Sequence, residues 1–564
     1  MKFGDKHRFL SVAACIAALI PLIVLTFFMR LPALGEAFCN PDVEGIAYSA
    51  CNFLDGGAIY PEGVETKPPG VYIIFASIFA IFQRSMTPLY AMTSVYHALT
   101  ALVLFTFVAS HFGALEGIFA AYLYAFFSAL LFAAGKCPNF ETWTLLPLIL
   151  AWIFVVEAGK RKSLVAAIFA GVCFAIAFAM KQQALIFAAL SPPALYYEMP
   201  PEDPRKKFHL IKLLAAQLVG ALAVLAALTW FIAHRGGLAH MAAALNPLAN
   251  LRYASSEPMI QVAARMMTKG AEFLVDSWAL FLAAAFFAFF GRRLDQLRRD
   301  ESGEPAPRGT KIQPGRATMK VWLPAAVLAV IAPMKLFDHY LMLLIPPLAV
   351  LAGCFLARLA RASAIPAYLR VAGLGLAFIL FAQNGMTDIK LASSSFENLR
   401  ILKRQEWTPD HDLYWKRSPI PRRMIYYTDM QKVAACIQNL STPDDPIYVW
   451  DYAPGIYFYA HRKAPTRHFM YFEVATRLPA GSGRWHAKEN PRVIAARKEL
   501  LDDLAASPPK YFVTYNHDAS PAVSFEHYLE IAPLFDELQS FYQMHYVRDD
   551  GCSTKLFTVA RYRK

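Results

Sequence analysis

The stretch that decides the fold is FLSVAACIAALIPLIVLTFFM, residues 9–29, together with NPDVEGIAYSACNFLDGGAIYPEGVETKPPG, residues 40–70. The first segment contains no charged side chain and, as a helix, is long enough to cross the roughly 30 Å of hydrocarbon in a bilayer. The second segment carries Asp42 and Glu44 near its start and Lys67 before two prolines. Carboxylates and a lysine therefore follow directly on a membrane-length helix, in what we interpret as an acidic loop at the membrane face.

The composition extends this interpretation to most of the chain. Hydrophobic residues make up 57% of the 564 residues and charged residues only 17%. The net charge of +13 does not indicate a nucleic-acid partner, because Lys and Arg concentrate in short loops between apolar blocks, where they set membrane orientation. The sequence predicts a polytopic α-helical membrane protein, with apolar blocks near residues 9–29, 71–83, 89–109, 116–134, 142–157, 163–180, 184–198, 211–233, 272–290, 319–334, 340–357 and 367–385.

The basic clusters decide which blocks cross. If every block crossed, Lys160, Arg161 and Lys162 would lie outside, against the positive-inside rule. The block at 71–83 is too short to span, so we interpret it as a re-entrant or interfacial outer helix. The chain then has about 11 spanning helices, a cytoplasmic amino terminus and every basic cluster inside.

Two domains follow from the change in composition. Residues 1–385 form the transmembrane domain, with a first periplasmic loop at 30–88 and a charged, Pro/Gly-rich cytoplasmic linker at 291–320. Residues 386–564 are more polar and predict a periplasmic α/β domain. Within it, residues 429–439 have helical periodicity, and 446–450 and 510–514 have the pattern of buried strands.

The cysteines allow two disulfides in an oxidising compartment. Cys39 and Cys51 share the first outer loop, and Cys436 and Cys552 share the carboxyl-terminal domain. The pairing stays open, and no His/Cys spacing indicates a zinc site.

Several short motifs occur in an order that resembles a known family. The chain is similar to the GT-C glycosyltransferases, a group that includes protein O-mannosyltransferases and the bacterial aminoarabinose and lipopolysaccharide-core transferases. The motifs that carry the resemblance are Asp42-Val43-Glu44 after the first helix, Lys67-Pro68-Pro69-Gly70, Asn139-Phe140-Glu141, Lys181 at a helix end, and His339-Tyr340-Leu341 ahead of Ile345-Pro346-Pro347-Leu348.

The resemblance implies an activity and its partners. The donor would be a monosaccharide on a polyprenyl phosphate in the bacterial inner membrane. The acceptor would be a cell-envelope glycan or lipid such as lipid A, core or O-antigen, and transfer would invert the sugar carbon. The resemblance requires no cofactor, although neighbouring carboxylates could bind a divalent metal.

Transfer from a lipid phosphate needs a base for the acceptor hydroxyl and cations for the leaving phosphate. The candidate acids are Asp42, Glu44 and Glu141. The resemblance favours Asp42 as the base, and Val43 between the two acids leaves the choice between Asp42 and Glu44 open. The candidate substrate-binding residues are Lys67, Lys181, Lys335, His339 and Tyr340.

Structural explanations compete with these roles. Glu44 could pair with Lys67, Glu141 could favour the dipole of the helix it begins, and Lys181 could be an interfacial anchor. Two other classes of protein also stay open. A transporter or lipid flippase is expected to carry charges near the membrane midplane and an internal repeat, neither of which is visible here. A non-catalytic envelope assembly protein would use its outer domain alone.

Overall fold

The computed structural model describes residues 17–35, 40–60, 67–235, 237–245, 259–302, 315–334, 336–363, 365–393, 420–450, 453–470, 474, 491–515, 536–554 and 556–563. The chain divides into two compact units. The first comprises residues 1–35, 90–228 and 263–405, and the second comprises 36–89, 229–262 and 406–564. The predicted division between residues 385 and 386 stays a prediction.

The described part of the chain up to residue 393 is helical. In chain order its helices are α1 (Ala17–Phe28), α2 (Pro41–Leu54), α3 (Gly70–Ile81), α4 (Met86–His111), α5 (Ala114–Phe127), α6 (Phe140–Arg161), α7 (Leu164–Met180), α8 (Ala184–Ala189), α9 (Ser191–Glu198), α10 (Lys206–His234), α11 (Leu238–Ala244), α12 (Met259–Asp276), α13 (Trp278–Ser302), α14 (Arg316–Ile331), α15 (Ile345–Arg361), α16 (Ala367–Asn384) and α17 (Met386–Ser393). Short 3-10 helices occur at Leu31–Gly35, Leu131–Ala133 and Asp338–Leu344.

Among the residues that the structure describes, each apolar block of the sequence overlaps helical structure, but the helices differ in length. Within the described residues, five are long and apolar enough to cross a membrane, namely α4, α6, α10, α16 and the continuous segment Asp338–Arg361. A sixth crossing results if α12 and α13, which are bent by 87° at Ser277, form one span. The other apolar helices have 17 residues or fewer, so the count of eleven spans stays a prediction. Helix α3 has 12 residues and measures about 18 Å, which is shorter than the bilayer core.

The interpretation of residues 40–54 as a loop is wrong, because Pro41–Leu54 is a helix. Asn40 caps it by accepting a hydrogen bond from the backbone N–H of Asp42 at 2.9 Å. Pro41 occupies the first turn, and Asp42 and Glu44 place negative charge at the positive end of the helix. A cap residue, a proline and acids in the first turn are the local signals of a helix start.

The first unit is held together by close helix packing. A methyl group added to Gly171 in α7 would collide with the carbonyl oxygen of Gln217 in α10. One added to Gly220 in α10 would collide with the carbonyl oxygen of Ile168 in α7. Such reciprocal glycines let two backbones approach closely, as is common between membrane helices.

The second unit contains an α/β segment. Its helices are α18 (Ile420–Leu440), α19 (Gly455–Ala460), α20 (Pro491–Ala506) and α21 (Asp536–His545), and its strands are β1 (Ile447–Trp450), β2 (Tyr511–Tyr515), β3 (Tyr546–Arg548) and β4 (Phe557–Tyr562). The sheet order is β1-β2-β4-β3, with β1 and β2 parallel and the other pairs antiparallel. Strands β1 and β2 lie where the sequence predicts them.

A disulfide joins Cys436 in α18 to Cys552, with their Cα atoms 5.5 Å apart. Because it links positions 116 residues apart in the sequence, the chain-entropy argument gives it a stabilising effect of about 4–5 kcal/mol. Among the described residues Cys51 has a free thiol, and Cys39 lies outside them.

Candidate functional site

The first unit brings the ends of α6 and α7 together through a buried ion pair. Glu141 lies in the first turn of α6, and Lys181 caps the end of α7, where its backbone N–H donates to the carbonyl of Ala177 at 3.0 Å. The Lys181 Nζ atom lies 2.9 Å from Glu141 Oε1. The side chains are only 6% and 1% exposed, so the two charges neutralise each other away from water.

Two aromatic rings and a histidine surround this pair. Lys181 Nζ lies 5.2 Å from the ring centre of Phe140 and 4.9 Å from that of Tyr340. His339 Nε2 lies 3.9 Å from Glu141 Oε2, and its ring packs edge-on against Tyr340. Cation–π attraction is strongest where water is excluded, so the rings help to hold the ammonium group in place.

Two amide side chains next to the pair have no hydrogen-bond partner among the described residues. Asn139 is 2% exposed and Gln183 is 8% exposed, and in each the amide nitrogen and the amide oxygen are both unsatisfied. Each amide lies two residues from one member of the ion pair. Unsatisfied polar atoms are uncommon in a protein interior. Others occur elsewhere in the described residues, but Asn139 and Gln183 are the two described amide side chains in which both polar atoms are unsatisfied.

A second buried lysine–carboxylate pair lies in the same unit. The Lys136 ammonium contacts the Asp388 carboxylate and donates to the carbonyl of Ala129 at 2.7 Å. Asp388 also accepts from the backbone N–H of Leu131 at 3.4 Å. Burial lowers the pKa of the Lys136 ammonium, and the adjacent carboxylate opposes that shift.

Arg30 serves the same region. Its guanidinium donates to the carbonyl and the hydroxyl oxygen of Ser128 at 3.0 and 2.9 Å. Together, Arg30 and Lys136 supply donors to carbonyl groups just past the end of α5, where the helix itself has none to offer. This second cluster therefore has a structural role: it links the segment that follows α5 to Arg30 and to Asp388 in α17.

In the second unit, the two acids of α2 have different environments. Glu44 is 1% exposed, and its Oε2 atom accepts a hydrogen bond from the backbone N–H of Gly455, the first residue of α19, at 3.2 Å. A Cβ atom on residue 455 would lie 2.7 Å from the Glu44 carboxyl carbon, so the approach requires glycine. Asp42 is only half-buried. Of the two carboxylates, Asp42 is thus the more accessible.

Lys67 also belongs to the second unit. It is half-buried just ahead of α3, and its carbonyl oxygen accepts a hydrogen bond from the Tyr60 hydroxyl at 2.9 Å. The structure therefore groups Glu141, Lys181, His339 and Tyr340 in one unit, and Asp42, Glu44 and Lys67 belong to the other. Lys335 lies outside the described residues. Within those residues, no group of three or more His, Cys, Asp or Glu side chains is arranged to hold a metal ion.

The comparisons with known proteins concern the family and the fold of the chain. The sequence profile of the dolichyl-phosphate-mannose-protein mannosyltransferase family matches residues 66–231. The structure is similar to ArnT from Cupriavidus metallidurans bound to undecaprenyl phosphate, with a TM-score of 0.51 and 14% identity over 97% of both chains. The fold of the chain is therefore similar to that of ArnT. The structure is also similar to the same ArnT in the apo state, with a TM-score of 0.50 and 14% identity over 98% of both chains. No curated protein matches the sequence at a significant level.

The predicted resemblance to GT-C enzymes is thereby confirmed, together with the mostly helical class of the chain. The structure also contains buried polar groups that the sequence does not predict. The sequence singles out Glu141 and Lys181, but it does not identify Asn139, Gln183 or the Lys136–Asp388 pair as buried polar groups. The available signal for Gln183 was a polar run, Lys181-Gln182-Gln183, between two apolar blocks.

Proposed function

We propose that the protein is an inverting glycosyltransferase that moves a monosaccharide from a polyprenyl-phosphate carrier to a hydroxyl group of a cell-envelope acceptor. Lipid A, core, O-antigen or another envelope glycan would serve as that acceptor. The observation that carries the proposal is the family match over residues 66–231, because it includes Lys67, Glu141 and Lys181. The GT-C fold supports the same class of reaction, and the ArnT structure it matches holds undecaprenyl phosphate.

In the proposed reaction the acceptor oxygen attacks the anomeric carbon from the face opposite the phosphate. Asp42 takes the proton of the acceptor hydroxyl, the bond from the sugar carbon to the phosphate oxygen breaks, and polyprenyl phosphate leaves with the electron pair. The accessibility of Asp42 supports its role as base. Glu44 is less suited to that role because Gly455 already occupies its carboxylate.

The departing phosphate needs positive charge. Lys67 and Lys181 are the proposed donors, with Lys335 and His339 as further candidates. Glu141 orients the Lys181 side chain while no phosphate is bound. An incoming phosphate then competes with Glu141 for the ammonium group. Tyr340 limits how far that group can move, since its ring lies 4.9 Å away.

The proposed location is the inner membrane, with the reaction at the periplasmic face. The basic cluster at Lys160, Arg161 and Lys162 supports this orientation by the positive-inside rule. The disulfide between Cys436 and Cys552 supports it independently, because such bonds persist in oxidising compartments.

The test combines a deletion strain with point variants. Mass spectrometry of envelope glycolipids from the deletion strain should reveal one missing sugar, and the wild-type gene should restore it. Asp42→Asn, expressed at the normal level, should lower transfer at least 10²-fold. Glu44→Gln should lower transfer less than tenfold, because the glutamine oxygen can still accept the hydrogen bond from Gly455.

Asp55→Asn is the matched control. Asp55 follows the same helix, and its carboxylate forms a partly exposed ion pair with Arg84. The Asp55→Asn protein should transfer the sugar at the wild-type rate. Normal glycan modification by the Asp42→Asn protein would refute the base assignment, and an unchanged glycolipid profile in the deletion strain would overturn the proposed activity.

A further inference from the structure

The buried amides of Asn139 and Gln183, beside the Glu141–Lys181 pair, have no hydrogen-bond partner among the residues that the structure describes. Because a buried amide without a partner loses its hydrogen bonds to water and gains none in return, such a group destabilises the fold. Two such amides at one place therefore need an explanation other than stability.

Asn139 and Gln183 both occupy helix-cap positions, yet neither side chain makes a capping hydrogen bond. Asn139 is the cap residue of α6, a position at which asparagine usually accepts a hydrogen bond from a backbone N–H of the first turn. Its side chain makes no such bond, and neither does that of Gln183 at the start of α8. Elsewhere in the chain this bond is made, for example by Asn40 at α2 and by Ser163 at α7.

The ion pair fixes the region in which these amides lie. Glu141 and Lys181 join the start of α6 to the end of α7 at 2.9 Å, and Asn139 and Gln183 flank that junction. An amide offers one acceptor oxygen and two donor hydrogens without charge. That chemistry suits neighbouring hydroxyl groups, whereas a phosphate calls for cationic donors such as Lys181.

We propose that Asn139 and Gln183 form a carbohydrate-binding subsite that hydrogen-bonds the hydroxyl groups of the monosaccharide on the lipid carrier. The inference rests on the proposed function and assigns separate roles to the lysines and the amides. The lysines bind the phosphate of any carrier, and the two amides recognise whether a sugar is attached.

The test measures the affinity of the purified full chain in nanodiscs for two kinds of lipid. The probes are undecaprenyl phosphate alone and a panel of undecaprenyl-phosphate monosaccharides bearing glucose, galactose, mannose or 4-amino-4-deoxyarabinose. The wild-type protein should bind at least one sugar-bearing lipid more tightly than the bare carrier. Asn139→Leu and Gln183→Met should each weaken that binding about tenfold, the equivalent of about 1.4 kcal/mol, and change the affinity for the bare carrier less than twofold.

Thermal unfolding of the same variants separates a binding role from a structural one. Because neither amide makes a hydrogen bond within the described part of the chain, both substitutions should leave the melting temperature unchanged or raise it. Gln217→Met is the matched control. Gln217 is equally buried, but its amide nitrogen donates to the Ser191 hydroxyl at 2.9 Å. Its replacement should lower the melting temperature and leave the preference for a sugar-bearing lipid intact.

Each remaining outcome decides against a stated claim. If the wild-type protein binds none of these lipids, the proposed function fails. If it binds undecaprenyl phosphate but no sugar-bearing lipid more tightly, or if the amide variants keep the wild-type preference, the subsite is refuted and the proposed phosphate contacts survive. Equal loss of both affinities, together with a lowered melting temperature, would make the amides structural and would also refute the subsite.

Discussion

The first unit contains two buried lysine–carboxylate pairs whose surroundings differ. In the Lys136–Asp388 pair, both partners also bond backbone groups, those of Ala129 and Leu131. The Lys181–Glu141 pair lies among aromatic rings and beside amides that have no partner within the described residues. Burial of an ion pair is therefore a poor guide to function by itself. The more informative feature is the hydrogen-bonding capacity that remains unused around the pair.

The largest expected effect comes from removing each pair with its charges balanced. The double variant Lys181→Met/Glu141→Gln should lower transfer about 10²–10³-fold, because the leaving phosphate loses a preorganised cation. The double variant Lys136→Met/Asp388→Asn should lower it less than tenfold. Assays of sugar transfer in membranes containing equal amounts of each protein would measure both. Similar losses in the two variants would break the distinction between the pairs.

The next effect concerns stability. Asp388→Asn leaves the Lys136 ammonium buried without its counter-ion, and we expect it to lower the free energy of unfolding by about 3–5 kcal/mol. Lys136→Met/Asp388→Leu removes both charges and should recover most of that loss. Denaturant unfolding in detergent would compare them. If the double variant were as unstable as the single one, the ion pair would not be the source of the loss.

A smaller effect is expected at Tyr340, whose ring lies beside the Lys181–Glu141 pair. Tyr340→Leu removes the ring that lies 4.9 Å from Lys181 Nζ, and the lost cation–π attraction of about 1–2 kcal/mol should raise KM for the lipid donor about tenfold. Tyr340→Phe keeps the ring and should change KM less than threefold. An equally large rise with phenylalanine would assign the effect to the hydroxyl group.

The smallest effect comes from a partly exposed pair in the second unit, Lys510 and Asp445, whose Nζ and Oδ2 atoms lie 2.9 Å apart. The hydrogen bond from Lys510 and a second one from the Thr442 backbone N–H lower the pKa of Asp445 to about 2. Since the carboxyl pKa is about 3.9 in an unfolded chain, the stabilisation is fully present above about pH 4 and is lost as the pH falls toward 2. Asp445→Asn should cost less than about 1 kcal/mol at pH 7.

Thermal unfolding between pH 7 and pH 2 would measure the difference in stability between the wild type and Asp445→Asn. That difference should shrink as the pH falls from about 4 toward 2. The exposed neighbour Asp444 provides the control, and its replacement by asparagine should change nothing measurable. A difference that persisted below pH 2 would contradict the electrostatic explanation.

Local signals predicted much of the fold. The apolar blocks became helices because their composition and length leave a membrane-embedded backbone no other way to satisfy its hydrogen bonds. The strand at Tyr511–Tyr515 followed from its apolar, β-branched and aromatic pattern. Helix α2 has a start signal in Asn40 and Pro41, but its polar and small residues, with Gly56 and Gly57 just beyond it, are also typical of a loop.

The site was predictable residue by residue but not as contacts. Glu141 and Lys181 stood out individually, since each is a charge at the edge of an apolar block. Lys136 and Asp388 are 252 residues apart, and nothing in the local sequence of either specifies the other as its partner. The unsatisfied amides could not be predicted at all, because the absence of a partner is a property of three-dimensional packing.

The reciprocal glycines of α7 and α10 have a mechanical consequence for the lysine at the end of α7. Gly171 contacts the backbone of α10 at Gln217, and Lys181, at the end of α7, lies ten residues further along the chain, at a distance of about 15 Å. A tilt of α7 about this contact therefore displaces the Lys181 ammonium group at the other end of the segment. If a larger side chain at position 171 tilted α7 by about 4°, the ammonium group would move by roughly 1 Å, which is enough to slow a reaction about 10²-fold although residue 171 does not touch the substrate.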